Sequence, residues 1–289
     1  MTIPPIFLHP VIGALTVSAI WGLNVVFMKI AMDDLPPLLF NTLRFSVLIL
    51  VLLPFVRINF QQLRQLLPLA LVMGMGHFYL LAIGLTYVPS FVASFCLLLG
   101  GPFSAFLGYL ILNERLTRWQ VLAITIATLG ATVPSLLSGN ISLQMGMLLI
   151  TLSTFLWAVG NIQVRRLPSI STMSIQFCIA IITAPISFFF YWYTHDITAT
   201  MDYITLPALA SLAYVVIFSS IIGYALWYRL IHTHGIQQIT PFALIQPVFT
   251  LIFGYLILSE SLNLWQWLGS GVTLMAIYSY NKLQRKPDA

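Results

Sequence analysis

The chain has 289 residues, of which 60% are hydrophobic and 7% are charged. Soluble globular domains carry about 25% charged residues, so this composition excludes an ordinary soluble protein and predicts an integral membrane protein. The formal net charge of +5 does not indicate nucleic-acid binding, because the basic residues are spread thinly at the ends of apolar segments. Cys96 and Cys178 lie inside apolar runs, where we expect small buried hydrophobic side chains rather than a disulfide or a metal site.

Ten apolar stretches follow one another along the chain, and each approaches the roughly 20 residues that a helix needs to cross a bilayer. The stretches are continuous rather than alternating, which predicts helices and not the strands of a membrane barrel. The predicted fold class is therefore an all-α integral membrane protein with ten transmembrane helices. The predicted spans cover residues 11–32, 36–56, 67–87, 89–112, 119–138, 143–164, 172–193, 207–231, 236–258 and 264–281.

The basic residues predict the orientation of these spans. A cytoplasmic N-terminus puts all twelve Lys and Arg residues on the cytoplasmic side except Lys29 and Arg44. Cytoplasmic loops are enriched in Lys and Arg, so this asymmetry predicts that both termini lie in the cytoplasm.

The sequence also contains an internal repeat. Residues 108–120 read GYLILNERLTRWQ, residues 254–266 read GYLILSESLNLWQ, and nine of the thirteen positions match. A weaker repeat relates Trp21 to Trp157. We predict two five-helix repeats, residues 1–140 and 141–289, and the second copy must be inverted because five is an odd number. Inverted repeats are typical of secondary transporters.

Several short runs resemble the EamA family of the drug/metabolite transporter superfamily. The resemblance implies ten helices, the bacterial inner membrane and a central cavity between the halves. It also implies export, by alternating access, of a small amino acid or related metabolite such as cysteine or O-acetylserine. A permease or importer of drug-like, aromatic or nucleoside solutes stays open, and so does a membrane receptor or scaffold. The runs are WGLN at 21–24 followed by Lys29, Pro36-Pro37 before Leu43-Arg44-Phe45, WAVGN at 157–161, and the repeated stretches at 108–116 and 254–262.

Polar side chains at membrane depth predict the substrate site. Trp21 and Asn24 share one face of the first span, and Trp157 and Asn161 share one face of the sixth, which is the equivalent helix. An asparagine offers a donor and an acceptor to a zwitterionic amino acid, and a tryptophan supplies an apolar wall. The alternative is that each asparagine only bonds a neighbouring helix.

Four further residues complete the predicted substrate-binding set: His77, Tyr224, Trp227 and Gln246. His77, near the middle of the third span, could bind substrate, carry a proton or be a packed core residue. Tyr224 and Trp227 form, with Tyr228, either an aromatic cavity wall or an ordinary packing stripe.

Other residues are predicted to bend helices or to carry charge. Gly100, Gly101 and Pro102 in the fourth span and Pro247 in the ninth predict bends, which are either gating points or packing kinks. Lys29 and Arg44 are assigned to gating or charge. Arg44 lies about eight residues into its span, roughly 12 Å deep. At that depth it needs a partner, for which Asp33, Asp34 and a substrate carboxylate are the candidates.

The sequence offers no pattern of an enzyme. It contains no phosphate-binding P-loop, no HExxH run and no paired-cysteine metal spacing. We therefore predict a transporter with no catalytic residues, no metal and no cofactor. The expected partners are a small-molecule substrate and the lipid bilayer, with a homodimer left open and no nucleic acid. Glu114 and its repeat counterpart Glu260 are expected to cap or pair with an adjacent helix.

Overall fold

The computed structural model describes residues 9–112, 117–136, 140–167, 170–234, 239–261 and 264–284. Across these residues the regular structure is entirely helical, with no strand among them, which agrees with the predicted all-α class. Cys96 and Cys178 are both buried and free, as expected.

Five helical stretches form the first half of the chain. Two of them begin with proline, whose missing N–H costs no hydrogen bond there because N–H groups of the first turn have no partner within the helix. The third begins at Phe60 rather than at residue 67 as predicted, because Asn59 and Gln62 form a reciprocal capping box ahead of the apolar run. The bounds are α1 Pro10–Asp34, α2 Pro37–Leu52, α3 Phe60–Tyr87, α4 Ser90–Leu112 and α5 Arg118–Leu136.

The second half repeats this order. In the ninth stretch, predicted as a span over 236–258, a 3-10 segment over Thr240–Ile245 precedes the regular α-helix, which has Pro247 in its first turn, and residues 236–238 lie outside the described residues. The bounds are α6 Ile141–Arg166, α7 Thr172–Thr194, α8 in the consecutive segments Leu206–Tyr214, Val215–Gly223 and Tyr224–His234, α9 Gln246–Leu258 and α10 Leu264–Gln284.

Helices α3 and α8 each contain a π-helical segment, Leu71–Phe78 in the first and Val215–Gly223 in the second. A π segment is wider than an α-helix and is rare, and such segments are frequent at functional sites. The two segments lie on helices that are equivalent in the predicted repeat.

Six of the helices are long and apolar enough to cross a membrane, judged by length and composition. Two more, α2 and α9, are apolar but shorter. Many large hydrophobic side chains, such as Phe189 and Leu256, are exposed on the outside of the molecule, as expected for helices that face lipid. The six are Pro10–Asp34, Phe60–Tyr87, Ser90–Leu112, Ile141–Val164, Met173–Thr194 and Leu206–Trp227.

The main helix pairings follow a simple rule. Helix α1 packs on α8 and α9, while α6 packs on α3 and α4. The pairs α2–α7, α4–α9 and α5–α10 also pack along one another. Replacing each helix by the helix five places away in the chain converts the pairings of α1 with α8 and α9 into those of α6 with α3 and α4. The pairs α2–α7, α4–α9 and α5–α10 are converted into themselves.

Candidate substrate site

The Trp21–Asn24 face of α1 meets α8 through its tryptophan. The Trp21 ring centroid lies 5.2 Å from that of Tyr224 and 5.2 Å from that of Trp227. This close approach depends on glycine at 223, because a Cβ there would lie 2.9 Å from Trp21 Nε1. The structure thus brings three of the predicted site residues together in one aromatic cluster.

Asn24 lies one turn further along α1. Its Nδ2 is 3.6 Å from Met28 Sδ, a weak acceptor, and its buried Oδ1 has no hydrogen-bond partner within the described part of the chain. Buried polar atoms in folded proteins are nearly always paired, and one that is not needs an explanation. A donor on a bound solute would supply the missing partner.

The equivalent face of α6 has different neighbours. The Trp157 ring lies over Gly100 of α4, where an added Cβ would come within 2.8 Å of ring carbons. Asn161 Nδ2 donates a hydrogen bond of 3.2 Å to Ser104 Oγ, also on α4. The structure therefore packs the two tryptophan–asparagine faces against different helices.

His77 is buried at the α3–α6 contact and is paired there. Ser153 Oγ donates to the His77 carbonyl oxygen at 2.8 Å, and it lies 2.8 Å from His77 Nδ1. Nδ1 also lies 3.1 Å from the Ser153 carbonyl oxygen, and because a carbonyl can only accept, these contacts are satisfied together when Nδ1 carries the proton. His77 thus holds the π-helical segment of α3 against α6, whatever else it does.

Arg44 is a buried cation, with only 6% of its surface exposed. Its guanidinium carbon lies 4.5 Å from the centroid of the Phe78 ring and 5.6 Å from that of Phe45. One nitrogen, Nη2, is 3.5 Å from Ser220 Oγ, and Tyr224 is close enough to interact electrostatically. The other two nitrogens, Nε and Nη1, are buried and have no hydrogen-bond partner among the described residues.

The two acids that were candidate partners for Arg44 are not its partners. Asp34 accepts a hydrogen bond from the Thr205 hydroxyl at the N-cap of α8. Asp33 is exposed to solvent. The helix ends at Asp34, so both carboxylates stay at the surface rather than reaching the buried guanidinium.

Asn41, one turn before Arg44 on α2, was not singled out from the sequence. Its side chain is completely buried, and neither Nδ2 nor Oδ1 has a hydrogen-bond partner within the described residues. The signal was its spacing, because positions i and i+3 share a helix face and Asn41 therefore lies on the same side as Arg44.

Lys29 binds to the protein itself. Its Nζ donates a 2.7 Å hydrogen bond to the carbonyl oxygen of Leu85, in the last turn of α3. Carbonyls in the last turn have no partner within the helix, and a cation there is favourable. The contact ties α1 to the end of α3, and a gating role stays a prediction.

The predicted bends lie where α4 and α9 meet α1. Helix α4 is interrupted at Leu99, immediately before Gly100, and Pro102 is buried in the segment that follows. At Gly101 an added Cβ would meet nothing within 4 Å. In α9, Pro247 occupies the first turn after the 3-10 segment.

Thr250 joins these three helices near the bends. Its Oγ1 lies 3.1 Å from the Gly22 carbonyl of α1, 3.1 Å from Ser94 Oγ of α4 and 3.2 Å from the carbonyl of Gln246. Gly22 allows this approach, since a Cβ there would lie 2.9 Å from the Gln246 carbonyl oxygen. Thr250 and Ser94 are not predictable from the sequence, because isolated hydroxyls in apolar helices are common.

Glu260 confirms its expected structural role. Its carboxylate accepts hydrogen bonds from the Ser90 amide and the Ser90 hydroxyl, both at 2.7 Å. Ser90 is the first residue of α4, so an acid from the second half caps a helix of the first half. Glu114, its counterpart, lies outside the described residues, and so does the side chain of Tyr228.

No group of three or more His, Cys, Asp or Glu side chains in the described segments could hold a metal ion.

The sequence matches the EamA-like transporter family over residues 9–136 and, separately, over residues 144–281. The chain belongs to this family, and with its apolar helices it is a membrane transporter.

Relatives of known sequence match over almost the full length. The chain is 30% identical over 276 residues to a protein of Escherichia coli strain K12 named "Probable amino-acid metabolite efflux pump", covering 92% of each. A protein of the same name from Salmonella typhimurium is 29% identical, again over 92% of each. A solved crystal structure is similar in fold, with a TM-score of 0.62 and 16% identity over 94% of this chain and 96% of that one.

Proposed function

We propose that this protein is an inner-membrane secondary transporter that exports small amino acids or related metabolites, of the cysteine and O-acetylserine kind, by alternating access. The observation that carries the proposal is the near full-length similarity to two relatives named as probable amino-acid metabolite efflux pumps. The bacterial relatives favour the inner membrane, and a homodimer stays a prediction.

The proposed architecture is ten spans in two inverted repeats, residues 1–140 and 141–289, with both termini in the cytoplasm. The two separate family matches support the repeat, as does the exchange rule of the helix pairings. The paired π-helical segments of α3 and α8 support it too. The distribution of Lys and Arg supports the orientation.

The proposed substrate site lies between the halves, where α1, α2, α3 and α8 meet. The aromatic cluster of Trp21, Tyr224 and Trp227 would supply an apolar wall, and the unpaired oxygen of Asn24 would accept a hydrogen bond from the solute. The sequence also predicts His77, Trp157, Asn161 and Gln246 for the site, and those four stay predictions; because His77 and Asn161 already have protein partners, we propose that Trp157 and Asn161 on α6 serve mainly to pack α4.

Alternating access requires two packings of the halves around one site. We propose that the break at Leu99 in α4 and the start of α9 at Gln246 are the points that move. Thr250 links Gly22 of α1 to Ser94, on the segment of α4 before the break, and to the carbonyl of Gln246, so a change at α1 on solute binding would be passed to both segments.

The test is transport by the purified protein in proteoliposomes. Vesicles preloaded with an unlabelled solute are supplied with radiolabelled cysteine, O-acetylserine, serine, threonine, phenylalanine or uridine, and counterflow accumulation is measured. We expect accumulation of at least one small amino acid above that in protein-free vesicles. Accumulation of phenylalanine or uridine alone would replace the proposed substrate class by the aromatic or nucleoside alternative.

A further inference from the structure

Arg44 leaves a buried charge without a counter-ion in the structure described here. Burying an ionised group away from water costs several kcal/mol unless it is paired and hydrogen-bonded. Its neighbours are two phenyl rings, the Ser220 hydroxyl at 3.5 Å and Tyr224, which together provide no negative charge of the needed strength. Among the described residues, no protein group therefore balances this cation.

The acids whose side chains are described are all engaged or exposed elsewhere. Asp34 bonds Thr205, and Glu260 caps α4 at Ser90. Asp196 lies in a surface loop, where hydrogen bonds from the Thr198 hydroxyl and amide hold the pKa of its carboxyl below the usual range. Asp33 is solvent-exposed. None of these four carboxylates neutralises Arg44.

We propose that Arg44, with Asn41 beside it, forms the subsite that binds the carboxylate of the transported solute. This inference rests on the proposed function and adds the group of the solute that is recognised. A guanidinium binds a carboxylate strongly through parallel N–H···O hydrogen bonds. The nitrogens Nε and Nη1, both buried and without a partner in the described part of the chain, are the donors that a carboxylate would use.

The surroundings of Arg44 fix its orientation while leaving its donors free. The Phe78 ring at 4.5 Å lies within the distance at which an aromatic ring attracts a guanidinium, as does Phe45 at 5.6 Å. Ser220 Oγ gives its proton to the Val215 carbonyl at 3.0 Å, so it can only accept from Arg44. Arg44 is thereby attached to the π-helical segment of α8.

Asn41 supplies what Arg44 lacks. Its unpaired Nδ2 can donate a second bond to the carboxylate, and its unpaired Oδ1 can accept from the α-ammonium group. A donor, an acceptor and a cation within one turn of α2 match the two charged groups of a zwitterionic amino acid. The same residues would leave an amine without a carboxylate poorly bound.

The first experiment compares three probes that differ only at the carboxyl group: L-cysteine, cysteinamide and cysteamine. Each competes for counterflow of whichever labelled amino acid the transport panel identifies. We expect the parent protein to prefer L-cysteine to cysteinamide by about tenfold or more. Arg44→Gln should weaken competition by L-cysteine about 10- to 100-fold, the range of a hydrogen bond to a charged group, and leave cysteinamide unchanged.

The control is Arg64→Gln, which removes an exposed arginine near the start of α3. It should match the parent with every probe. If Arg44→Gln weakens competition by cysteinamide and by L-cysteine equally, Arg44 does not bind the carboxylate and the inference is wrong. If the parent carries no amino acid in the panel, the proposed function fails first and independently of Arg44.

A second variant guards against misfolding of Arg44→Gln. Asn41→Asp places a carboxylate one turn from the guanidinium, so the protein supplies its own counter-ion. We expect this variant to unfold at a temperature at or above that of the parent and yet to lose competition by L-cysteine. A stable Asn41→Asp protein that still discriminates L-cysteine from cysteinamide would overturn the proposal.

A free inorganic anion could satisfy the same donors. Thermal unfolding of the purified protein in sodium chloride and in sodium phosphate, with and without L-cysteine, separates the two sources. Stabilisation by L-cysteine that Arg44→Gln abolishes supports the solute. Stabilisation by chloride or phosphate alone, lost in Arg44→Gln, would assign the site to a resident anion and contradict the proposal.

Discussion

Helices α1 and α6 carry the same tryptophan–asparagine pattern and use it differently. On α1, Trp21 packs with Tyr224 and Trp227 of α8, and Asn24 keeps a buried oxygen without a partner. On α6, Trp157 covers α4, and Asn161 bonds a hydroxyl there. Equivalent positions in a repeat therefore need not have equivalent roles.

The difference follows from the helix that each tryptophan–asparagine face contacts. Each of α1 and α6 has two main partners, α8 and α9 for the first and α3 and α4 for the second. The tryptophan of α1 lies on the π-containing partner α8, whereas that of α6 lies on α4, which has no such segment among its described residues. We read the α1 face as the solute side and the α6 face as the structural side.

The largest expected effect on this comparison comes from the cap of α4. Glu260→Ala removes two charge-assisted bonds to Ser90, and we expect a loss of about 2 kcal/mol of stability, from the usual range for caps and charged hydrogen bonds. Because α4 is the helix that closes the α6 face, the loss should appear as a lower unfolding temperature of the purified protein. The exposed Asp196→Asn is the control, and an equal loss in both variants would contradict the capping role.

An intermediate effect is expected on the α1 face, where Asn24 lies. Asn24→Ala should lower transport about tenfold, as expected for a lost hydrogen bond to the solute near the upper end of the usual 0.5–1.5 kcal/mol. Its unfolding temperature should not fall, because Oδ1 has no partner among the described residues and the Nδ2 contact with Met28 Sδ is weak. Initial counterflow rates and thermal unfolding, measured on one preparation, test both halves of the statement. If the variant transports at the parent rate, the solute site does not include this face of α1.

The smallest effect is expected on the α6 face, where Asn161 lies. Asn161→Ala removes the 3.2 Å bond to Ser104 and should cost about 1 kcal/mol of stability, with transport per folded molecule unchanged. Ser104→Ala should cost a similar amount, and the double variant little more than either, since both remove one interaction. If Asn161→Ala lowers transport per folded molecule well below that of the parent, the cavity extends to α6, as the sequence predicts.

Several features followed from the sequence because they depend on local properties. Apolar stretches of about 20 residues predict spanning helices wherever they occur. The described helices fall close to the predicted spans, apart from the early start of α3. That boundary differs because the chain carries a capping box at Asn59, and a cap decides the end of a helix more strongly than hydropathy.

The candidate site was only partly predictable. Trp21, Tyr224 and Trp227 were chosen as large aromatic residues at membrane depth, and they meet in one cluster. Asn41 was missed, because a single asparagine in an apolar helix gives no sign of whether a neighbour will satisfy it. The proposed partners of Arg44, Asp33 and Asp34, were chosen by nearness in sequence, and the end of α1 keeps them at the surface.

The sequence by itself thus determined the class of protein, the position of the helices and the family, because hydropathy, charge asymmetry and short motifs are read residue by residue. Only the tertiary structure decided which polar groups are satisfied. Asn161 bonds Ser104 and His77 bonds Ser153, each on a helix more than 50 positions away in the chain, while Asn24 Oδ1 and both polar side-chain atoms of Asn41 have no partner among the described residues. Whether a buried polar atom is structural or free to bind depends on such distant neighbours, and they are set by how the helices pack.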